Sequence, residues 1–172
     1  MILKRSQLLF VISAYCAAML IIAFFMEYYL GLKPCILCQF QRLCIFAMLL
    51  TSITALLHKS QSLISFRAYL ISIQALVFLA TYLSVRQLYL QSLPDELIPN
   101  CAPDLNYLLE TLPISKVLLL ALKGDGNCSE VVWSFLGISI PGWTLVSYSL
   151  ISVYMFFNLK FSRDIHSYFG KS

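Results

Sequence analysis

Charged residues are scarce in this sequence. Asp, Glu, Lys and Arg make up 12% of its 172 residues, whereas hydrophobic residues make up 60%. Soluble domains contain about 25% charged and about 45–50% apolar residues. A chain of this length cannot bury so much apolar surface in one core, which excludes an ordinary soluble domain and indicates a membrane protein. Internal repeats and low-complexity tracts are also lacking, and the length predicts a single domain over residues 1–172.

Four apolar stretches are long enough to cross a membrane. A spanning helix needs about 20 residues, with about 17 tolerated, and its backbone polar groups must be satisfied internally. We expect spans at about residues 8–29, 38–57, 68–88 and 143–161. The first is read as a retained helix, because it exceeds the apolar region of a signal peptide and lacks a small-residue cleavage site. The predicted fold is an all-α membrane protein, a four-transmembrane-helix bundle.

The basic residues predict the orientation of this bundle. Four spans place the two termini and the loop after the second span on one side, with seven basic residues against one acid. The other side carries five basic and seven acidic residues. Because basic residues favour the cytoplasmic side, both termini are expected to be cytoplasmic and the other two loops to face outward. The net charge of +4 reflects this topology and does not predict a nucleic-acid partner.

The outward loops, at about residues 30–41 and 89–142, contain four of the six cysteines. In the second loop, Ile114–Leu122 is apolar but too short to span, so it predicts a short helix lying in the membrane interface. The turn signal at Gly124–Asn127 predicts that Cys128 lies on an exposed, mobile loop.

Histidine is nearly absent, and this bears on the chemistry of the cysteines. The only two, His58 and His166, fall on the predicted cytoplasmic side, so they cannot complete a zinc site with outward cysteines. Cys35 and Cys38 form a Cys-x-x-Cys pair at the start of the second span, where free N–H groups and the helix dipole stabilise a thiolate. Redox activity is therefore favoured for this pair over a structural disulfide or half of a zinc site.

The other cysteines are less clearly marked. For Cys101 and Cys128, a stabilising bridge and an exchanging disulfide both remain open. Cys16 and Cys44 fall within helices and are expected to be small buried hydrophobes.

Arg42 follows Cys38 by four positions, so both lie on one helical face. A cation at this depth is costly without a partner. Arg42 either stabilises a thiolate or binds a ligand, or it is an interfacial arginine that reaches the lipid phosphates. Glu27, near the outer end of the first span, is expected to be interfacial.

At these residues the chain resembles the bacterial disulfide bond formation protein B family over essentially its whole length. The elements that carry the resemblance are Lys33–Cys38 with Gln41-Arg42, Arg86-Gln87 with Leu90-Gln91, Pro99–Cys101, Gly126–Cys128, and Trp133–Gly137 with Pro141 and Trp143. Cys-x-x-Cys alone is weak evidence, whereas these elements in this order on four spans are specific.

The resemblance implies a multi-pass protein of the bacterial inner membrane that reoxidises a periplasmic thioredoxin-fold thiol oxidase (DsbA-like) and reduces ubiquinone or menaquinone from the membrane pool. It further implies that Cys101 accepts the partner's attack, with Cys128 as its loop partner. Cys35 then exchanges with the second loop, and Cys38 delivers electrons to the quinone. Arg42, Gln87 and Gln91 are implied at the quinone; some family members have histidine at Gln87, and an amide cannot replace it in proton transfer.

No metal is expected. The alternative from another class is a non-catalytic tetraspanning protein with structural disulfides or a metal site.

Overall fold

Four long helices dominate the computed structural model, which describes residues 5–58, 63–94, 96, 105–124 and 126–169. They are α1 (Arg5–Tyr28), α2 (Ile36–Leu57), α3 (Leu63–Gln91) and a last helix, Ile140–Phe169. Each contains an apolar segment long enough to cross a membrane: Ser6–Tyr28, Ile36–Leu57, Ile64–Gln91 and Ile140–Phe157. The predicted four-helix membrane fold is confirmed.

Shorter elements lie between α3 and the last helix. They are α4 (Leu105–Thr111), α5 (Ile114–Lys123), a single 3-10 turn (Gly126–Cys128) and two short strands, β1 (Ser134–Phe135) and β2 (Ile138–Ser139). The last helix is therefore α6. The antiparallel hairpin of β1 and β2 was not predicted. Leu136 and Gly137 have φ values of 53° and 76°, which suits the tight hairpin turn in which both central residues have positive φ.

The helices extend beyond the apolar runs that predicted them. α2 begins two residues before the expected position 38, α3 five residues before 68, and α6 three residues before 143. Arg67 does not delay α3, because a long basic side chain can keep its charge near water while its stem covers apolar surface. Pro141 stands in the first turn of α6, where the missing N–H would have no helical acceptor anyway.

Helix α2 packs against α1 and α3, and α6 packs against α3. Buried aliphatic residues such as Leu70, Ile73 and Val77 fill the interior. Hydrogen bonds between polar side chains link the helices, as in Tyr15 Oη to Ser147 Oγ at 2.9 Å, which joins α1 to α6. Such bonds hold helices together in lipid, where apolar surfaces gain little from facing each other.

The loop segments sit on the end of the bundle where α2 and α6 begin, which we call the loop end. Val117 of α5 is buried, and α5 packs against both α2 and α3. Gly124, at φ +74°, lies so close to the bundle that a Cβ there would be 2.3 Å from Leu90 Cδ1 and 3.0 Å from Leu37 Cδ1. This close approach requires glycine, and it seats the following 3-10 turn against the helices.

Candidate functional site

Cys35 caps the start of α2. Its backbone is extended, at φ −70° and ψ 169°, and its sulfur accepts a hydrogen bond from the Cys38 N–H at 3.4 Å. The helix can begin here because Pro34 keeps the preceding residue out of the helical conformation. The two sulfurs are 3.0 Å apart, and both cysteines are free thiols. The Cys-x-x-Cys pair thus occupies the first turn of a membrane-spanning helix.

Cys128 is packed against this pair. The Cys35 thiol is hydrogen-bonded to Cys128 as well as to Cys38, and these bonds, together with burial, raise the pKa of Cys35 above its ordinary value. The prediction of an exposed Cys128 is wrong. The side chain is fully buried, because the 3-10 turn that carries it packs on α2 and α3. Cys101, the fourth predicted redox cysteine, lies outside the residues that the structure describes.

Gln87 joins the two cysteines to a buried polar chain. Its Nε2 donates to Cys38 Sγ at 3.2 Å and lies 3.4 Å from Cys35 Sγ, so a donor from α3 faces both sulfurs. Its Oε1 accepts from Gln41 Nε2 at 3.2 Å. Gln41 Oε1 in turn accepts from Thr144 Oγ1 at 3.4 Å. Side chains from α2, α3 and α6 therefore fix the position of the Gln87 amide.

Arg42 has a partner that the sequence did not assign. Its guanidinium forms an ion pair with Glu27, donates to the Ala23 carbonyl at 2.9 Å and lies 5.5 Å from the centre of the Phe24 ring. All three partners are on α1, so groups on the neighbouring helix stabilise a charge that would otherwise be unfavourable at this depth. Arg42 is held inside the bundle by this set of contacts.

Arg42 and Cys38 line one cavity, which we call the Arg42 cavity. It lies between α1, α2 and α6 and encloses about 90 Å³. Its walls are mostly apolar, with a few polar side chains among them. The lining includes Met19, Ala23, Met26, Ile45, Gln41, Thr144 and Tyr148.

The remaining predicted ligand residues line a separate space. Gln87 and Gln91 border a smaller cavity of about 30 Å³ with Cys35 and Cys38, and we call it the Gln91 cavity. Gln91 Oε1 also accepts a hydrogen bond from Ser139 Oγ at 2.8 Å. The structure therefore brings Cys35, Cys38 and Cys128 together, but divides Arg42 from Gln87 and Gln91. Cys38 borders both cavities.

Sequence reasoning missed three residues of this site. Glu27 is the ion-pair partner of Arg42, Gln41 supports Gln87, and Tyr148 lines the Arg42 cavity. Glu27 and Gln41 left signals. An acid and a base at the outer ends of consecutive spans are placed at the same membrane depth, and Gln41 stands beside Arg42 in a motif that carries the family resemblance. Tyr148 could not be separated from other residues of its helix without knowledge of helix packing.

Fold and site together define a membrane protein of four spanning helices, with a dithiol in the first turn of one helix and a third cysteine packed on it. The sequence model of the family described as Disulfide bond formation protein DsbB matches residues 4–158. The chain belongs to this family.

Curated relatives agree with this assignment, and each is named Disulfide bond formation protein B. The protein from Marinobacter nauticus is 46% identical over 138 residues, which cover 80% of this chain and 82% of the relative. The protein from Acinetobacter baylyi is 40% identical over 129 residues, or 75% of each chain. The protein from Saccharophagus degradans is 37% identical over 155 residues, covering 90% of this chain and 93% of the relative.

Proposed function

We propose that this chain is a quinone-dependent oxidoreductase of the bacterial inner membrane, which reoxidises a periplasmic thioredoxin-fold dithiol oxidase (DsbA-like). Membership of the family supports a role in disulfide bond formation. The family is also known for a DsbA–DsbB–quinone route that keeps the bacterial periplasm oxidising. One observation carries the proposal for this chain: Cys35 is hydrogen-bonded to Cys128 of the second loop and to Cys38 of α2. Cys35 can therefore exchange disulfides both with Cys128 of the loop and with Cys38 of the membrane helix.

Electrons enter through the second loop. A thiolate of the partner attacks Cys101 of a Cys101–Cys128 disulfide, which forms a mixed disulfide and releases Cys128 as a thiolate. The second thiol of the partner then resolves the mixed disulfide, so the partner leaves oxidised and Cys101 is reduced. The released Cys128 thiolate attacks Cys35 of a Cys35–Cys38 disulfide, and Cys38 leaves as a thiolate. The Cys101 thiolate then attacks Cys128 of the resulting Cys35–Cys128 disulfide, which restores the Cys101–Cys128 disulfide and releases Cys35 as a thiol. Two electrons have then moved from the partner to the Cys35–Cys38 pair.

The surroundings of Cys38 suit a leaving thiolate. Its sulfur accepts a hydrogen bond from the Gln87 amide, which needs no thiol on Cys35, and it lies in the first turn of α2, where the helix dipole favours negative charge. Since a thiolate that is better stabilised leaves faster, these contacts favour attack on Cys35 over attack on Cys38. Gln87 acts on the sulfurs in this assignment, and it does so as a hydrogen-bond donor with no role in proton transfer.

The chemistry of the Arg42 cavity lining suits the head group of a quinone. Apolar side chains suit the ring, Arg42 and Thr144 can donate to a carbonyl oxygen, and Cys38 borders the same space. A bound quinone would take up two electrons and two protons and so return the Cys35–Cys38 pair to a disulfide. At about 90 Å³, the cavity is smaller than the roughly 300 Å³ at the lower end of ligand pockets, so its walls must move apart to admit a quinone ring.

The proposed topology places this chemistry at the outer surface of the inner membrane. The side with both termini carries seven basic residues and one acid, which assigns it to the cytoplasm. The loop end, with Cys35 and Cys128, then faces the periplasm, where the partner's thiols are found.

The proposal is tested by supplying the purified protein with a reduced thioredoxin-fold partner and a short-tail quinone, and by following the loss of quinone absorbance. We expect turnover in the wild type and none in alanine variants of Cys35, Cys38, Cys101 or Cys128. Cys16→Ala and Cys44→Ala are the controls, because both thiols are buried within helices of the bundle, Cys16 on α1 and Cys44 on α2. Turnover in Cys101→Ala would overturn the relay. Absence of quinone reduction by the wild type would favour a non-catalytic membrane protein with structural bridges.

A further inference from the structure

Tyr148 of α6 is a buried residue whose hydroxyl has no hydrogen-bond partner, the one such buried side-chain oxygen or nitrogen among the residues that the structure describes. Its side chain is fully buried and borders the Arg42 cavity. Leaving a buried hydroxyl without a partner costs free energy, whereas phenylalanine would fill nearly the same space without that cost. Packing therefore does not account for the hydroxyl.

Other hydroxyls in the bundle show what a structural role looks like. The Tyr15 hydroxyl is hydrogen-bonded to Ser147 Oγ at 2.9 Å and links α1 to α6. The Ser84 hydroxyl lies 3.1 Å from Thr144 Oγ1 and links α3 to α6. Tyr148 makes no such link, although it stands one position after Ser147 on α6. Its hydroxyl has no partner, and its side chain borders a cavity that Cys38 also lines.

We propose that the Tyr148 hydroxyl donates a hydrogen bond to an oxygen of the ligand in the Arg42 cavity, and so acts as a second polar anchor for the quinone head group. The inference rests on the proposed function and extends it to a residue on α6. Arg42 reaches the cavity from α2, so the two donors stand on walls formed by different helices. A quinone ring has two carbonyl oxygens on opposite sides, and each accepts a hydrogen bond.

The test compares Tyr148→Phe with Tyr15→Phe, because each change removes one phenolic hydroxyl from the bundle. The dissociation constant of a short-tail ubiquinone is measured in nanodiscs by quenching of tryptophan fluorescence, with no partner protein present. Loss of one neutral hydrogen bond predicts about two- to tenfold weaker binding in Tyr148→Phe, and no change in Tyr15→Phe. The thermal midpoint is measured without quinone. It should be unchanged or higher in Tyr148→Phe, which loses an unpaired hydroxyl, and lower in Tyr15→Phe, which loses a bonded one.

Two results would overturn the role of Tyr148 alone. One is equal quinone affinity in Tyr148→Phe and in a wild type that does bind quinone. The other is a lower thermal midpoint in ligand-free Tyr148→Phe, since that would give the hydroxyl a structural partner. If the wild type fails to bind or reduce the quinone, the proposed function itself fails, and the role of Tyr148 falls with it.

Discussion

At the scale of single residues, Arg42 combines an ion pair with a place in the wall of the cavity that we propose for the quinone. It borders the Arg42 cavity while its guanidinium is paired with Glu27, and both side chains are largely shielded from solvent, at 18% and 28% exposure. Removing one partner of such a pair leaves the other charge uncompensated, which is more costly than removing both. The contribution of Arg42 to stability and its proposed role in ligand binding can therefore be separated by mutation.

We predict that Arg42→Ala lowers both quinone affinity and thermal stability, and that adding Glu27→Gln restores stability alone. A hydrogen bond to a charged group contributes about 1.5–3 kcal/mol, so affinity should fall by roughly tenfold or more. The measurements are the Michaelis constant for quinone and the thermal midpoint in detergent, with Arg67→Ala on the opposite side of the bundle as the control. An unchanged Michaelis constant in Arg42→Ala would reduce Arg42 to a structural residue.

Cys35 gives a prediction on pH. Hydrogen bonding to Cys128 and Cys38, together with burial, raises the pKa of this thiol, so less thiolate is present at any given pH than for a free cysteine. In the reduced protein, alkylation of Cys35 should therefore begin to accelerate only above the usual cysteine pKa of about 8.5. Cys128→Ala removes the largest cause and should shift this profile to lower pH. Mass spectrometry of alkylation rates against pH tests this, and coincident profiles would contradict the assigned contact.

At the scale of structural elements, a glycine seats the cysteine turn on the bundle. Gly124 and Gly31 both have positive φ, at +74° and +66°, but only Gly124 lies close to other side chains. Alanine would be strained at both positions but would clash with neighbouring side chains only at Gly124. A comparison of the two alanine variants therefore distinguishes backbone strain from close packing.

We predict that Gly124→Ala weakens the approach of Cys128 to Cys35 and that Gly31→Ala does not. A Cβ at Gly124 would lie 2.3 Å from Leu90 Cδ1, so the turn or the Leu90 side chain must move. Oxidative trapping of a Cys35–Cys128 disulfide, in a Cys38→Ala, Cys101→Ala background, should be several-fold slower in Gly124→Ala. Backbone strain of about 1–3 kcal/mol is common to both variants. Equal slowing in the two would show that strain alone accounts for the effect.

At the scale of the whole molecule, the sequence predicted what depends on local pattern. Four apolar runs predicted the spanning helices, and the four-residue spacing of Cys38 and Arg42 placed them on one face of α2. The contacts between distant segments were not predictable in this way. Pairing of Arg42 with Glu27, of Gln41 with Gln87 and of Cys35 with Cys128 depends on how the helices rotate and pack, and each residue alone is compatible with several neighbours.

The burial of Cys128 also depends on packing between segments that are distant in the sequence. Glycines beside it predict a turn, and the structure does contain a turn, but its position on α2 and α3 is decided by the close approach of Gly124. A local signal for flexibility thus says little about exposure when the turn packs on another part of the chain.

We expect the membrane to keep the turn with Cys128 close to Cys35 by holding α5 at its surface. Val117 faces the bundle, whereas Ile114 and Leu119 are exposed, at 77% and 54%. If α5 lies in the interface, its exposed apolar side chains enter lipid and restrict how far the turn with Cys128 can move from Cys35. Burial of one leucine side chain contributes about 1.5–3 kcal/mol, enough to bias the position of a short helix.

We predict that Leu119→Asp slows exchange between Cys128 and Cys35 by roughly tenfold, because loss of about 1.4 kcal/mol of favourable positioning corresponds to that factor. Attack of the partner on Cys101 should continue at its normal rate, since that step does not require Cys128 to reach the bundle. Ser115→Asp is the matched control, because it adds the same charge at an exposed polar position of α5. The two steps are followed separately by trapping the partner–Cys101 and Cys35–Cys128 disulfides in membranes. Normal rates for both in Leu119→Asp would show that α5 does not guide the loop.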